Sequence, residues 1–108
     1  MSNFNAATET DRRVLLLADT DNVCTAATDL DAGERIVVGG ETVELAQPIA
    51  RGHKIALRSI AAGEKVIKYG APIGTATRDI SPGEHVHLHN LKSDYLPTYD
   101  RGGLVEPT

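Results

Sequence analysis

Three of the four histidines of this chain stand at alternate positions in Ile80-Ser-Pro-Gly-Glu-His-Val-His-Leu-His-Asn90: His85, His87 and His89. In a β-strand, alternate side chains leave on one face. The spacing therefore predicts a wall of three imidazoles, with Val86 and Leu88 turned the other way into a core. A helix, at roughly 3.6 residues per turn, would set residues two apart about 200° from each other. The alternation and the β-branched Val86 favour strand. Imidazole binds metals and titrates near neutral pH, so such a wall can hold an ion or move a proton. The same alternation also fits a solvated strand face, and no cysteine and few acids (Glu84, Asp94) stand near enough to complete a zinc pattern.

The elements that must position these side chains are strands joined by repeated turns. Leu30-Asp-Ala-Gly-Glu-Arg-Ile36 is echoed by Ile60-Ala-Ala-Gly-Glu-Lys-Val66 and Ile80-Ser-Pro-Gly-Glu-His-Val86, and more loosely by Ile49-Ala-Arg-Gly-His-Lys-Ile55. The shared form is an apolar residue, two others, glycine, a polar pair and a second apolar residue. Each copy predicts a tight turn at Gly33, Gly52, Gly63 or Gly83 between two strands, because glycine adopts the positive φ such turns need and Pro82 fixes φ just before it. Successive glycines lie 19, 11 and 20 positions apart, too irregular for a solenoid of fixed period. His53 occupies the position that is glutamate in the other three copies, a substitution that singles it out.

Short apolar runs at residues 13–18, 23–27 and 65–69 read as further strands, and 37–43 as a hairpin about Gly39-Gly40. Residues 70–74 read as a turn, and 75–80 as a strand or a single helical turn. No window carries sustained helical periodicity. The expected architecture is one mainly β domain at residues 13–94. A polar, disordered leader is expected over 1–12 and an extended or disordered tail over 95–108.

Composition narrows the function. The chain has 108 residues and a net charge of −4, with no tryptophan and one phenylalanine. That balance, without a basic block, argues against nucleic acid as a partner. The apolar runs are far short of the ~20 residues that cross a bilayer. No signal peptide is evident, and a cytoplasmic location is expected. Cys24 reads as a small core residue rather than a nucleophile. Lys54 and Lys68 can each hold a carboxylate as a point charge.

Three runs carry a resemblance: Ala50-Arg-Gly-His-Lys-Ile-Ala-Leu-Arg-Ser-Ile60, Val66-Ile-Lys-Tyr-Gly-Ala-Pro-Ile-Gly74 and Gly83-Glu-His-Val-His-Leu-His-Asn90. In this order they closely resemble the N-terminal SAF-type domain, of β-clip fold, of the altronate/galactarate dehydratase family. The resemblance implies a hydro-lyase that removes water from a sugar acid such as altronate or galactarate to give a 2-keto-3-deoxy acid. It also implies a divalent metal, Fe2+ or Mn2+, and a large catalytic subunit as partner, without which this chain would turn over little or nothing. Carried onto this sequence, it places His53 and His85 as catalytic groups, Lys68 and Asn90 as substrate-binding groups, and His87 and His89 as metal ligands. Two alternatives stand beside it: the small subunit of a sulfolactate-type sulfo-lyase, and a carbohydrate-binding or structural module without chemistry.

Overall fold

A computed structural model of the chain describes residues 9–93. Nine short strands form three antiparallel sheets, with no helix among the described residues. The first sheet orders β1 (Val14–Leu15), β2 (Val23–Ala26), β5 (Lys54–Ala56) and β8 (His85–Val86) as β1-β2-β5-β8. β3 (Arg35–Val38) and β4 (Glu41–Glu44) form a hairpin. β6 (Lys65–Lys68), β7 (Ala71–Ala76) and β9 (Leu91–Ser93) make the third sheet. The mainly β expectation holds.

Each glycine motif folds as a hydrogen-bonded turn. The amides of Glu34, His53, Glu64 and Glu84 donate to the carbonyls three residues back, on Asp31, Ala50, Ala61 and Ser81. Gly33, Gly52, Gly63 and Gly83 have φ of 85°, 87°, 91° and 89°. Positive φ at the third position, with Pro82 at the second, is the signature of a type II turn. In the first and third copies the glutamate folds back on its own turn, accepting from Asp31 N–H at 2.8 Å and Ala61 N–H at 2.7 Å. In the second copy the ring of His53 goes elsewhere.

The four turns belong to two larger units. Alternate glycines, Gly33 with Gly63 and Gly52 with Gly83, stand 30 and 31 positions apart. The bonds repeat with them: Gly33 N–H donates to Leu45 as Gly63 does to Ala76, and Gly52 to Ala26 as Gly83 does to Ala56. Isolated bridges join Leu30 to Ile49 and Ile60 to Ile80. Two-residue hairpin loops at Gly39-Gly40 and Tyr69-Gly70, all with positive φ, also correspond. Each unit has its own core. One cluster holds Ala26, Leu30, Ile36, Leu45, Ile49 and Ile55; the other holds their counterparts Ala56, Ile60, Val66, Ala76, Ile80 and Val86. Burial of these aliphatic side chains is the main stabilising term for a fold with so little hairpin length. β5, shared between the units, joins them.

Some expectations change. The first strand covers only Val14–Leu15 of the run at 13–18. Residues 70–74, read as a turn, mostly belong to β7, and the reversal itself is confined to Tyr69-Gly70. The carboxylate of Asp21 makes that reversal possible, accepting from Tyr69 N–H at 2.7 Å and Gly70 N–H at 2.8 Å. Those bonds hold a non-glycine residue at φ 58°, where a side chain is disfavoured. Residues 9–11 of the expected leader lie against the β3–β4 hairpin, with Gly40 N–H on Glu9 O and Val37 N–H on the Asp11 carboxylate. The rest of the expected leader and the tail beyond 93 fall outside the described residues. Cys24 is buried, as expected, and burial pushes its thiol up to about 12, which makes it inert. No helix among the described residues is long and apolar enough to cross a membrane.

Candidate functional site

β8 ends two residues into the histidine run. Asn90, 1% exposed, stops it. Its Oδ1 accepts from His87 N–H at 2.9 Å and its Nδ2 donates to His85 O at 2.8 Å, while Asn90 and Leu91 N–H both return to His87 O. The segment 87–90 is therefore a turn, not a continued strand. Leu88, expected in the core, is 68% exposed at the tip of that turn. Both polar atoms of the Asn90 side chain are committed to backbone.

Asn90→Ala strands a backbone donor and a backbone acceptor beneath the turn, each of which would be costly to leave unmet. The expected loss is roughly 2–3 kcal/mol, read from urea denaturation. Asn90→Asp keeps only the acceptor and should fall between Ala and the natural residue.

The turn still gathers the imidazoles. β5 and β8 pair with Lys54 opposite Val86 and Ile55 opposite His85, so one further residue along this register sets His53 across from His87. Backbone bonds fix both ends: Ala26 N–H donates to His53 O, and His85 N–H donates to the Gln47 side chain at 3.1 Å. His53 Nδ1 and His85 Nε2 lie 2.8 Å apart, a hydrogen bond between two rings. The His85 and His87 rings stack at 5.4 Å with 11° between planes, and the His53 and His87 centroids are 5.0 Å apart. One nitrogen from each of His53, His85 and His87 falls within a 4.8 Å group. His89 approaches only His85, at 5.4 Å between rings, and is exposed outside the trio.

Burial and the neighbouring His53, His87, His89 and Lys54 charges push His85 down to about 4. His87 is lowered by burial first, then by His53, Lys54 and His89. Both rings are thus neutral at pH 7, with a lone pair to offer. The linkage has a definite sign. The unfolded chain protonates His85 near the ordinary 6.5, while the folded chain does so only near 4. Stability therefore falls as pH drops from 6.5 to 4 and levels below that window. His87 acts in the same direction. Asp11, held well below its usual range by Arg13, also loses stability in acid, but at pH below its ordinary 3.8. Urea midpoints of the metal-free chain at pH 7, 5.5 and 4.5 should decline, and His85→Gln should flatten the decline.

Beside the trio, Lys54, Lys68 and His87 line a pocket of about 450 Å³ with Ile73, Leu88, Leu91 and Ser93. Burial, and then the charge of Lys68, lower Lys54. Of the residues singled out from sequence, the structure brings His53, His85 and His87 together, sets Lys68 at the adjoining pocket, leaves His89 on the rim and uses Asn90 beneath the turn. Sequence reading divided the trio between two roles. Only the register of β5 on β8, a non-local fact, unites it.

A small, all-β, twice-repeated domain thus gathers three imidazoles beside a pocket lined by two lysines. Residues 12–94 match the family described as the altronate/galactarate dehydratase SAF domain, and the chain belongs to that family. It is 46% identical over 88 residues to an altronate dehydratase of Bacillus subtilis, a match covering 74% of this chain and 18% of that protein. An altronate dehydratase of Escherichia coli is 53% identical over 74 residues, covering 68% and 15% respectively. The (2R)-sulfolactate sulfo-lyase subunit alpha of Chromohalobacter salexigens is 48% identical over 50 residues, covering 46% and 53%. The chain thus spans less than a fifth of the length of these dehydratases.

Proposed function

We propose that the chain serves a metal-dependent sugar-acid hydro-lyase, contributing histidines to a site that a large catalytic region completes. The observation that carries this reading is the His53–His85–His87 trio within 4.8 Å. It regroups the roles expected from sequence, with His53 and His85 joining His87 as candidate ligands and His89 moving out of the set.

The donor set fits a divalent ion. Two nitrogens bound at about 2.1 Å lie about 3 Å apart at the right angle of a six-coordinate shell and about 3.4 Å apart at a tetrahedral angle. The 2.8 Å between His53 Nδ1 and His85 Nε2 is the length of the hydrogen bond between them, and a small relaxation would admit either. Binding would displace the proton now shared by those nitrogens. Imidazole favours iron, and manganese would draw more on oxygen ligands from substrate or partner. When bound, the ion supplies Lewis acidity toward a carboxylate and its α-hydroxyl.

This chain's own groups would do the rest from one wall. Lys68 holds the substrate carboxylate, and His89, on the rim next to His85, is placed to exchange protons with solvent. Asn90 positions His85 and His87 through their backbone and touches no substrate. Elimination also needs a base for the α-proton and an acid for the leaving oxygen. A domain this small, open on the histidine side, leaves at least one of these to the catalytic region.

The test is reconstitution. The chain co-produced with a large dehydratase subunit should dehydrate altronate or galactarate, while the chain alone does not. Turnover by the isolated chain would refute the shared-site reading. Turnover of the complex unaffected by His53→Ala and His87→Ala would leave the domain a structural one. The similarity to sulfo-lyase alpha subunits favours a second reading, elimination of sulfite from sulfolactate. The same complex assayed with both substrate types separates the two.

A further inference from the structure

In a chain of net charge −4, the pocket beside the trio has only basic titratable groups among its described lining residues: Lys54 from β5, Lys68 from the end of β6 and His87 from the turn after β8. Neither lysine has an ion pair among the described residues, where the ion pairs all belong to Arg13 and Arg35. Lys54 is half-buried, so its ammonium has given up part of its hydration without gaining a carboxylate in exchange. Another cleft, by contrast, has Asp19, Asp21 and Glu41 as well as Arg58 in its lining. Two cations lining one hollow, with no counter-charge among the described residues, leave a place for an anion.

We infer that Lys54 and Lys68 act as a pair, clamping one anionic group of a small hydroxy acid between β5 and β6, next to His87. This rests on the lyase reading above and extends it from one lysine to two. The shape favours a small acid over an acidic side chain of the catalytic region. The hollow is about 450 Å³, room for a short carbon chain, with Ile73 and Leu91 as an apolar wall against its methine carbons. His87 belongs both to its lining and to the imidazole trio, as a group held for chemistry there would require. Two ammonium point charges recognise charge rather than a planar outline, so the clamp accepts carboxylate and sulfonate alike.

The experiment is an NMR titration of the full isotopically labelled chain, following lysine side-chain and backbone signals. Galactarate is the anionic probe and galactitol its uncharged counterpart. Galactarate should shift Lys54, Lys68 and His87 saturably and galactitol should not. Lys54→Met and Lys68→Met, which keep the aliphatic stem, should each weaken galactarate by about ten-fold, the effect of losing one charged hydrogen bond. Equal shifts with galactitol, galactarate binding unchanged in the double variant, or no saturable shift at all would overturn the clamp. The last result would leave the lysines to a carboxylate of the catalytic region. Metal uptake by the same variants, read separately, should match that of the natural chain. Uptake without galactarate binding sinks the clamp and spares the metal site. Galactarate binding without uptake supports the clamp and sinks the metal reading.

Discussion

His85→Ala is expected to lower affinity for Fe2+ or Mn2+ by at least about 100-fold, beyond the upper range seen when even an indirect partner of a metal ligand is lost. His85 is the centre of the cluster, 2.8 Å from His53, stacked on His87 and the only ring of the trio that His89 approaches. It is also the ring whose surroundings hold it most firmly neutral, at about 4. A ligand that need not first lose a proton at pH 7 binds without that competition. His89→Ala, by contrast, removes an exposed ring outside the trio and should change affinity less than about three-fold, within the usual scatter of a surface substitution. Calorimetric metal titration of the two variants, with circular dichroism as the folding control, decides the matter. Equal effects would return His89 to the ligand set.

The second large effect is on the scaffold. Gly83→Ala should cost about 4 kcal/mol or more, enough to unfold a small domain. The equivalent Gly63→Ala should cost only about 1–2 kcal/mol. Both residues have the same left-handed backbone, with φ of 89° and 91°. The difference is what a Cβ would meet. At Gly63 nothing lies within 4 Å, whereas at Gly83 the Cβ would run into the carbonyl of Glu44 and the backbone of Leu45. Gly83 packs there because Ala46 N–H donates to its carbonyl, which locks the last turn against the end of β4. β8 and two of the three histidines follow directly from that turn, so Gly83→Ala should also abolish metal uptake in whatever fraction remains folded. Urea denaturation of both variants measures the contrast. Equal costs would mean that the close approach at Gly83 does not constrain the fold.

Much of this architecture was legible because it is local. A glycine at positive φ with an apolar residue on each side, and in one copy Pro82 before it, marks a type II turn, and all four motifs fold that way. The Gly39-Gly40 hairpin was readable for the same reason. The doubling was harder to see. Taken singly, the glycine intervals look irregular, and only the pairing of each turn with its partner two copies on brings out a unit of 30–31 residues. The alternation of His85, His87 and His89 drew attention to a segment that carries two of the three clustered rings but suggested the wrong local geometry. Buried Asn90 bonds back to His85 and His87 and converts the strand into a turn, and that competition between side chain and ladder leaves no periodic trace in a sequence. His53 stood out as a histidine in a glutamate position, yet its closeness to His85 depends on two strands 31 residues apart pairing in one register. Lys54 and Lys68 could each be read from sequence as a holder of a carboxylate, but only the fold brings both to one hollow.

The central claim is that His53, His85 and His87 form one metal site. Manganese EPR and anaerobic Fe2+ titration of the full chain, alongside a His53→Ala/His87→Ala variant, test it most directly. About one ion per chain with nitrogen ligation is expected, with none in the variant and an unchanged fold in both. Uptake by the natural chain and the variant alike, or none by either with its large partner present, would contradict it.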